Sequence, residues 1–327
     1  MLRLQLNFLL LAALVCVQVI AAQPESWHAY PGELPAFDYS GERLQQYWPQ
    51  LTAASDLPFP DQAQLQALLQ RYPKLQRRML ELAQQPHAHP ALKALAQQQW
   101  QPLADAMQQV WRLHFSGQFQ QAYELGVQLG PVGNIPALYS RLMYLTLLEP
   151  NEDARLAGFH QVSEHSRQLL PLAPEHAFAR FGLAYAQART LELLSTSAAA
   201  SSGLLDDTRE RLQQLQQQAP QSALYPAALG GLHAGIVERV GSFVGRLTYG
   251  ASADKAVMEL EKASQLQPGL PVIHYEFARS LRRLDDSDYL PRIQQLLQQC
   301  QQLSVYSAEE ALNQQNCHTM WSQVTAE

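Results

Sequence analysis

Residues 254–284 read DKAVMELEKASQLQPGLPVIHYEFARSLRRL, and their small and turn residues are spaced as in two helices joined by a tight turn. Ala256 and Ala263 lie seven residues apart, Pro268 follows five residues later, and Ala278 follows ten residues after that. Small residues are needed where two antiparallel helices approach closely, and a proline is tolerated just past the first helix, which it cannot continue. This spacing predicts a helix-turn-helix unit and carries no catalytic chemistry.

The same step from a proline to a small residue occurs twice more upstream. Pro174 precedes Ala184 by ten residues, and Pro220 precedes Gly230 by ten residues. Three junctions of equal length indicate a stacked array of helical hairpins. No window of the sequence alternates apolar and polar residues for long, so strands are not expected.

The prolines of these junctions are 46 and 48 residues apart, which exceeds the period of about 34 residues of an uninterrupted helix-pair repeat. Each period therefore carries an insertion or longer helices. Composition places the insertions at residues 195–203, STSAAASSG, and at residues 240–252, VGSFVGRLTYGAS. Insertions in repeat arrays gather on one face, which is often the binding face.

With these features the chain resembles a group of exported proteobacterial tetratricopeptide-repeat proteins of undefined role. In that group a similar junction and a glycine-rich loop ending in a TYGAS-like string precede one well-formed repeat, and the resemblance covers residues 110–284. A more distant likeness is to the periplasmic T component of TRAP transporters, an all-helical protein that engages a substrate-binding subunit. These resemblances imply a role in partner binding or ligand relay.

We therefore predict an all-α fold, a tetratricopeptide-like array of antiparallel helical hairpins (an α-solenoid) with an inner groove, preceded by an irregular N-terminal arm. The arm is predicted from its many prolines and aromatic residues, which show little helical period. The predicted regions are a signal peptide at residues 1–22, the arm at 23–60, N-terminal helical hairpins at 61–134, the repeat region at 135–306 and a C-terminal cap at 307–327.

The first residues have the pattern of a secretory signal peptide. Arg3 precedes an apolar run over residues 8–17, and small residues at Ala21 and Ala22 offer a cleavage site. The run is shorter than the roughly 20 apolar residues of a membrane span. Cys16 follows Val15, whereas a lipidation site requires a small residue there. The sequence therefore predicts export to the periplasm with cleavage after Ala22 or Ala21, and no later segment is apolar enough to span a membrane.

Charge and cysteine content limit the partners and the compartment. The chain has 23 lysine and arginine residues against 29 aspartate and glutamate residues, a net charge of −6 with histidine neutral, which does not favour a nucleic-acid partner. Cys300 and Cys317 would remain after cleavage, and an oxidising compartment permits them to form a disulfide. The alternative is two separate thiols, because sequence alone does not give their distance.

No catalytic or metal-binding motif is found in the sequence. His160, Glu164 and His165 come closest to a metal motif, but the spacing turns His165 away from the face that the other two share on a helix. Phosphate-binding glycine motifs and nucleophile motifs are also missing. We therefore expect a protein that is not an enzyme and that uses no cofactor or metal.

The glycine-rich loop at 240–252 is the candidate binding region. It either folds back to cap the core or presents an apolar surface to a protein partner or a lipid-like ligand. For the second case the predicted apolar anchors are Phe243, Leu247 and Tyr249, with Arg239 and Arg246 at the rim.

The leading hypothesis is a periplasmic interaction module that binds a protein partner through its groove and this loop. The alternative is a carrier or relay of a small apolar ligand that works with a transporter, and it predicts an enclosed apolar cavity between helices.

Overall fold

The computed structural model describes residues 26–55 and 57–326, and the predicted signal peptide lies outside this part of the chain. The described residues form sixteen helices and no strand, which confirms the all-α class. The helices are α1 (Arg43–Leu51), α2 (Gln62–Arg71), α3 (Pro73–Ala83), α4 (Pro90–Ala96), α5 (Gln101–Phe115), α6 (Phe119–Gln128), α7 (Gly130–Leu147), α8 (Glu152–Leu169), α9 (Ala177–Leu193), α10 (Thr196–Ser201), α11 (Leu204–Gln218), α12 (Leu224–Tyr249), α13 (Ala253–Leu266), α14 (Pro271–Leu284), α15 (Asp286–Gln301) and α16 (Ala308–Val324). Among these helices, none combines the length and the apolar content that crossing a membrane requires.

The junction prolines lie where the helical hairpins turn. Pro174, Pro220 and Pro268 fall in the loops before α9, α12 and α14, and the small residue ten positions after each of them is buried inside the following helix. At Gly230 an added Cβ would lie 2.5 Å from Leu260 Cγ on α13. A larger residue would therefore force α12 and α13 apart, which explains the need for a small residue at this position.

Alternate helices form a closed ring. Helix α7 contacts α9, α9 contacts α12, α12 contacts α14, and α14 contacts α16, which returns to contact α7 and α5. These helices supply most of the wall of a cavity in the middle of the molecule, while α6, α11, α13 and α15 pack behind them. The inner surface is therefore enclosed rather than an open groove, because α16 joins the last hairpin to the first ones.

The predicted irregular arm contains a helix. Helix α1 buries Leu44 and Trp48, which lie four residues apart on one face, despite Pro49 in its last turns. Trp48 packs edge-to-face on Trp111 and Phe115 of α5, with ring centroids 5.6 and 6.0 Å apart. Burying the Leu44 and Trp48 side chains together contributes about 4 kcal/mol or more, which exceeds the roughly 3 kcal/mol that a proline inside a helix costs.

The turn after α1 lies across one end of the ring. Gln267 Nε2 donates to the Ala53 carbonyl at 2.9 Å, and Ser222 Oγ donates to the Ala54 carbonyl at 2.9 Å. Ser222 precedes α12 and Gln267 precedes α14, so the arm is attached where these inner helices begin. The arm therefore covers this end of the enclosed space.

The segment predicted as a glycine-rich loop, residues 240–252, is helical over most of its length. Helix α12 is broken at Gly241, with φ 76° and ψ 163°, and continues to Tyr249. It ends at Gly250, where φ is 63° and the Ala251 N–H donates to the Gly245 carbonyl at 2.9 Å, a common way for a helix to end. The loop prediction is wrong because only the first and last of these three glycines leave the helical conformation.

The other predicted insertion, residues 195–203, also contains a helix. Ser195 Oγ accepts a hydrogen bond from the Ala198 N–H and caps α10, and Gly203 adopts a φ of 70° before α11. This short helix lies at the end of α9 and borders a second cavity, described below.

A disulfide joins the last two helices. Cys300 on α15 and Cys317 on α16 are bonded, with their Cα atoms 6.3 Å apart, and both side chains are fully buried. The bond therefore attaches α16, the helix that closes the ring, to its neighbour.

Candidate functional site

The second half of α12, residues 242–249, presents apolar side chains to solvent; we call it the distal segment. Phe243 is 79% exposed and Leu247 is 76% exposed, and their spacing of four residues puts them on one face. Val244 is 41% exposed beside them, and Arg246 is also exposed. Three of the predicted contact residues, Phe243, Arg246 and Leu247, therefore lie on an accessible surface.

The other two predicted contact residues, Arg239 and Tyr249, line a cavity instead. The Arg239 guanidinium donates to the Leu191 carbonyl at 2.6 Å and to the Glu192 carbonyl at 2.5 Å, so it caps the last turn of α9. The Tyr249 carbonyl accepts a hydrogen bond from Arg209 Nη1 at 2.6 Å. The five predicted contact residues therefore do not form one surface.

That cavity, the side cavity, lies between α9, α12 and α14, with α10 at its edge. Its volume is about 140 Å³, and most of its wall is apolar. Helix α12 contributes four small residues over two turns, Ala227, Ala228, Gly231 and Gly235, and its larger apolar residues Leu232 and Ile236 also line the cavity. A Cβ added at Gly231 would find its nearest neighbour, Ser280 Oγ, 4.0 Å away. The absence of a side chain at Gly231 therefore contributes to this space.

A network of arginine and glutamate side chains lies between the two cavities. Glu192 contacts Arg189 at 2.8 Å, Arg279 at 2.8 Å and Arg283 at 3.0 Å. Arg189 also contacts Glu276 at 2.5 Å. Burial alone would raise the pKa of the Glu192 carboxyl, but the three guanidinium groups hold this pKa well below its ordinary value. Four residues of this network border both the side cavity and the cavity inside the ring of helices: Arg189, Arg279, Glu192 and Glu276. This layer of charged side chains therefore lies between the two cavities.

The central cavity lies inside the ring and has a volume of about 220 Å³. The end of α1 and the turn that follows it, residues 50–55, border it at one end, and α5, α7, α9, α14 and α16 form its sides. Aromatic rings are concentrated in the wall near α5 and α7. The Tyr139 and Phe178 ring centroids are 4.8 Å apart, and Trp111 lies 6.3 Å from Tyr139 and 6.1 Å from Phe178.

Two adjacent carboxyl groups at the start of α16 border the central cavity. Glu309 accepts the Tyr139 hydroxyl at 2.9 Å and lies 3.5 Å from His114 Nε2. Glu310 accepts the Tyr306 N–H at 2.7 Å. Burial raises the pKa of Glu310 to about 7, and repulsion from the Glu309 carboxylate adds to this effect, whereas the Tyr306 hydrogen bond opposes it.

The histidines do not form a metal site in the described part of the chain. No group of three or more histidine, cysteine, aspartate or glutamate side chains is placed there to hold a metal ion. His160 and His165 are exposed on α8. His233 and His274 are buried; burial lowers the pKa of His233 to about 4, and His274 Nε2 lies 2.7 Å from the Pro268 carbonyl. These two histidines are packing residues.

Comparison of the chain with models of known protein families gives no match, and comparison with curated proteins gives none. Its own surfaces and cavities are therefore the guide to its function.

Proposed function

We propose that this chain is a non-catalytic periplasmic binding protein that docks a protein partner through the distal segment, residues 242–249. The main support for this proposal is the exposure of two large apolar side chains, Phe243 and Leu247. Each is more than three-quarters exposed, and both lie on one face of the helix. Exposed apolar residues that cluster in this way are typical of interaction sites. Two adjacent anchors on a helix fit an apolar groove on a partner.

The backbone and charge of the distal segment also suit it for contact with a partner. The break at Gly241 separates it from the part of α12 that packs in the ring, and Gly250 ends it. Arg246 lies beside the apolar face and is exposed, so an acidic residue at the rim of the partner's groove would add specificity. The partner is therefore expected to combine an apolar groove with a negative rim.

The scaffold of the proposal is a tetratricopeptide-like array whose last helix returns to the first hairpins. The equal proline-to-small-residue steps at three junctions support this assignment. The bond between Cys300 and Cys317 supports an oxidising compartment, as in the periplasm.

A photo-crosslinking residue at Ser242, which is exposed next to the anchors, tests the docking proposal in cells. We expect a discrete covalent adduct that is lost when Phe243→Ser and Leu247→Ser are added. A crosslinker at Val127, an apolar residue on α6 that is 45% exposed, is the matched control and should give no such adduct. An adduct at 242 that survives both serine substitutions would contradict the proposal.

A second candidate function is the transport or relay of a small apolar ligand in the side cavity. The specific observation is the mainly apolar wall, to which α12 contributes both small residues and larger apolar ones. Gly231→Leu should fill this space and remove any ligand that native mass spectrometry detects on the purified protein. Gly182→Leu is the control, because Gly182 lies on the inner helix α9, borders neither cavity, and has its nearest neighbour, Leu142 Cδ1, at 3.9 Å. Equal ligand loss in both variants would argue against the side cavity.

A further inference from the structure

The central cavity differs from the side cavity in the chemistry of its wall. Aromatic rings from three inner helices border it: Trp111, Phe115, Tyr139, Phe178, Phe181 and Tyr185. The faces of aromatic rings carry negative electrostatic potential, which attracts cations that lie within about 6 Å of the ring centre. A neutral apolar ligand would gain nothing from this property, whereas a cationic ligand would.

The carboxyl groups in this wall are only partly balanced by cations of the protein. Glu192 and Glu276 are paired with Arg189 and Arg279, so these four charges cancel. Arg155, the remaining arginine of the wall, pairs with Glu152 at 3.1 Å.

Glu309 and Glu310 are left without such a partner. Within the described residues, no lysine or arginine lies within 4.0 Å of either carboxylate, and the one basic side chain within that distance of Glu309 is His114, whose Nε2 is 3.5 Å away. Glu310 is 8% exposed and borders the cavity. A buried carboxylate is costly unless a positive group compensates it. The wall therefore lacks one positive charge at this end of the cavity.

We propose that the central cavity binds a monovalent organic cation, an amine or quaternary ammonium compound, with its charged group between the Glu309 and Glu310 carboxylates and the rings of Trp111, Tyr139 and Phe178. The volume of about 220 Å³ exceeds that of an engineered cavity of about 150 Å³ that binds benzene, so a cation of about seven to ten non-hydrogen atoms fits. This site and its ligand class are distinct from the distal segment and from the side cavity.

Some of the residues that border the cavity are accessible to solvent. Its wall extends from the exposed Gln50 in α1 to the partly exposed Arg155 and Asn316.

The state of Glu310 makes the site sensitive to pH. The titratable groups around it are Glu309 on α16, Tyr139 on α7 and Tyr39 in the arm. Beyond Glu309 lies His114 on α5, whose Nε2 is 3.5 Å from the Glu309 carboxylate, and among the described residues no lysine or arginine lies within 4.0 Å of either glutamate. In the free protein burial raises the pKa of Glu310 to about 7, and a bound cation would lower this pKa. Binding should therefore release a proton near neutral pH, and the affinity for a cation should rise between pH 6 and pH 8.

Calorimetric titration of the purified protein with choline and with 3,3-dimethyl-1-butanol tests the charge requirement. The two molecules have nearly the same shape, and only choline is charged. We expect choline to bind at least about tenfold more tightly, since both the carboxylates and the rings favour the cation. This comparison uses the unmodified chain and therefore does not depend on whether a variant folds.

Substitutions in the cavity wall test whether the cation binds there. Glu310→Gln keeps an acceptor for the Tyr306 N–H, so this variant should fold. It should bind choline about tenfold more weakly and lose the pH dependence of binding, because the negative charge is gone. Its affinity for the uncharged alcohol should stay within about threefold of that of the unmodified protein. Phe178→Leu should weaken choline about fivefold through the lost ring. Glu164→Gln is the control, because that carboxylate is exposed on α8 and should change nothing.

Three results would overturn the proposal. They are failure of choline to bind, equal affinities for choline and the alcohol in the unmodified chain, and choline binding that Glu310→Gln leaves unchanged. None of these results bears on docking by the distal segment, because that surface is outside the cavity.

Discussion

Glu192 is held by three guanidinium groups at once, from Arg189 on its own helix and from Arg279 and Arg283 on α14. Removing its charge with Glu192→Gln leaves these arginines partly uncompensated. Because the Glu192 side chain is 27% exposed, we expect the free energy of unfolding to fall by about 2–4 kcal/mol, somewhat less than for a fully buried pair. Urea titration of both proteins measures the difference.

The pH dependence of the same residue has a definite sign. The pKa of Glu192 in the folded protein lies below the unfolded value of about 4.3. Its ionised carboxylate therefore stabilises the folded protein fully above about pH 4.3, and this contribution is lost as the pH falls through the folded pKa.

Glu238→Gln is the matched control for Glu192→Gln. Glu238 contacts Arg283 at 2.6 Å and is 42% exposed, so this substitution should lower the free energy of unfolding by less than about 1 kcal/mol. Equal losses in the two variants would mean that the network does not stabilise the fold.

At the residue scale the sequence predicts some features and not others. The sequence leaves two possibilities for Phe243 and Leu247, packing on the core or exposure at a surface, and the structure shows that both side chains are exposed. The contact between Arg189 and Glu276 joins positions 87 residues apart, and no local pattern indicates it. In the sequence, spacings of three and four residues place Glu276, Arg279 and Arg283 on one face of α14. This spacing indicates a charged face on that helix, although it does not identify the partner residues on α9.

At the scale of the element, the break at Gly241 sets the position of the distal segment. Its φ of 76° and ψ of 163° are accessible to glycine at little cost, and an alanine there is strained by about 1–3 kcal/mol. We expect Gly241→Ala to loosen residues 242–249, seen as faster amide hydrogen exchange in that segment and slower or weaker crosslinking from position 242. Exchange in α9 and α14 should stay unchanged.

Gly245 provides the opposite substitution in the same segment. Its backbone is helical, and an added Cβ would lie 3.4 Å from the Ala251 carbonyl oxygen, an ordinary contact. Alanine has a higher helix propensity than glycine by about 1 kcal/mol, so Gly245→Ala should slow exchange over residues 242–249. If both alanine variants change exchange in the same direction, the conformation at Gly241 is not what positions the segment.

Across the whole molecule, the sequence predicts the helical hairpins but not their closure into a ring. Hairpins depend on local signals, such as Pro268 before α14 and the buried small residue ten positions later. Closure depends on α16 meeting α5 and α7, as in the hydrogen bond from Tyr139 to Glu309, which spans 170 residues. Because contacts at this separation leave no periodic pattern, an array with an open groove and an array with joined ends have the same local sequence.

The Cys300–Cys317 disulfide gives a test of this closure, because it attaches α16 to α15 over a separation of 17 residues. Loss of a crosslink of that length should lower the free energy of unfolding by about 3 kcal/mol, which Cys300→Ser with Cys317→Ser measures in urea. We also expect faster hydrogen exchange in α16 than in α9, since α16 then stays in the ring only through its packing on α5, α7, α14 and α15. A reducing agent should destabilise the unmodified protein and leave the double variant unaffected. If exchange in α16 does not change when the bond is removed, its packing alone is sufficient to close the ring.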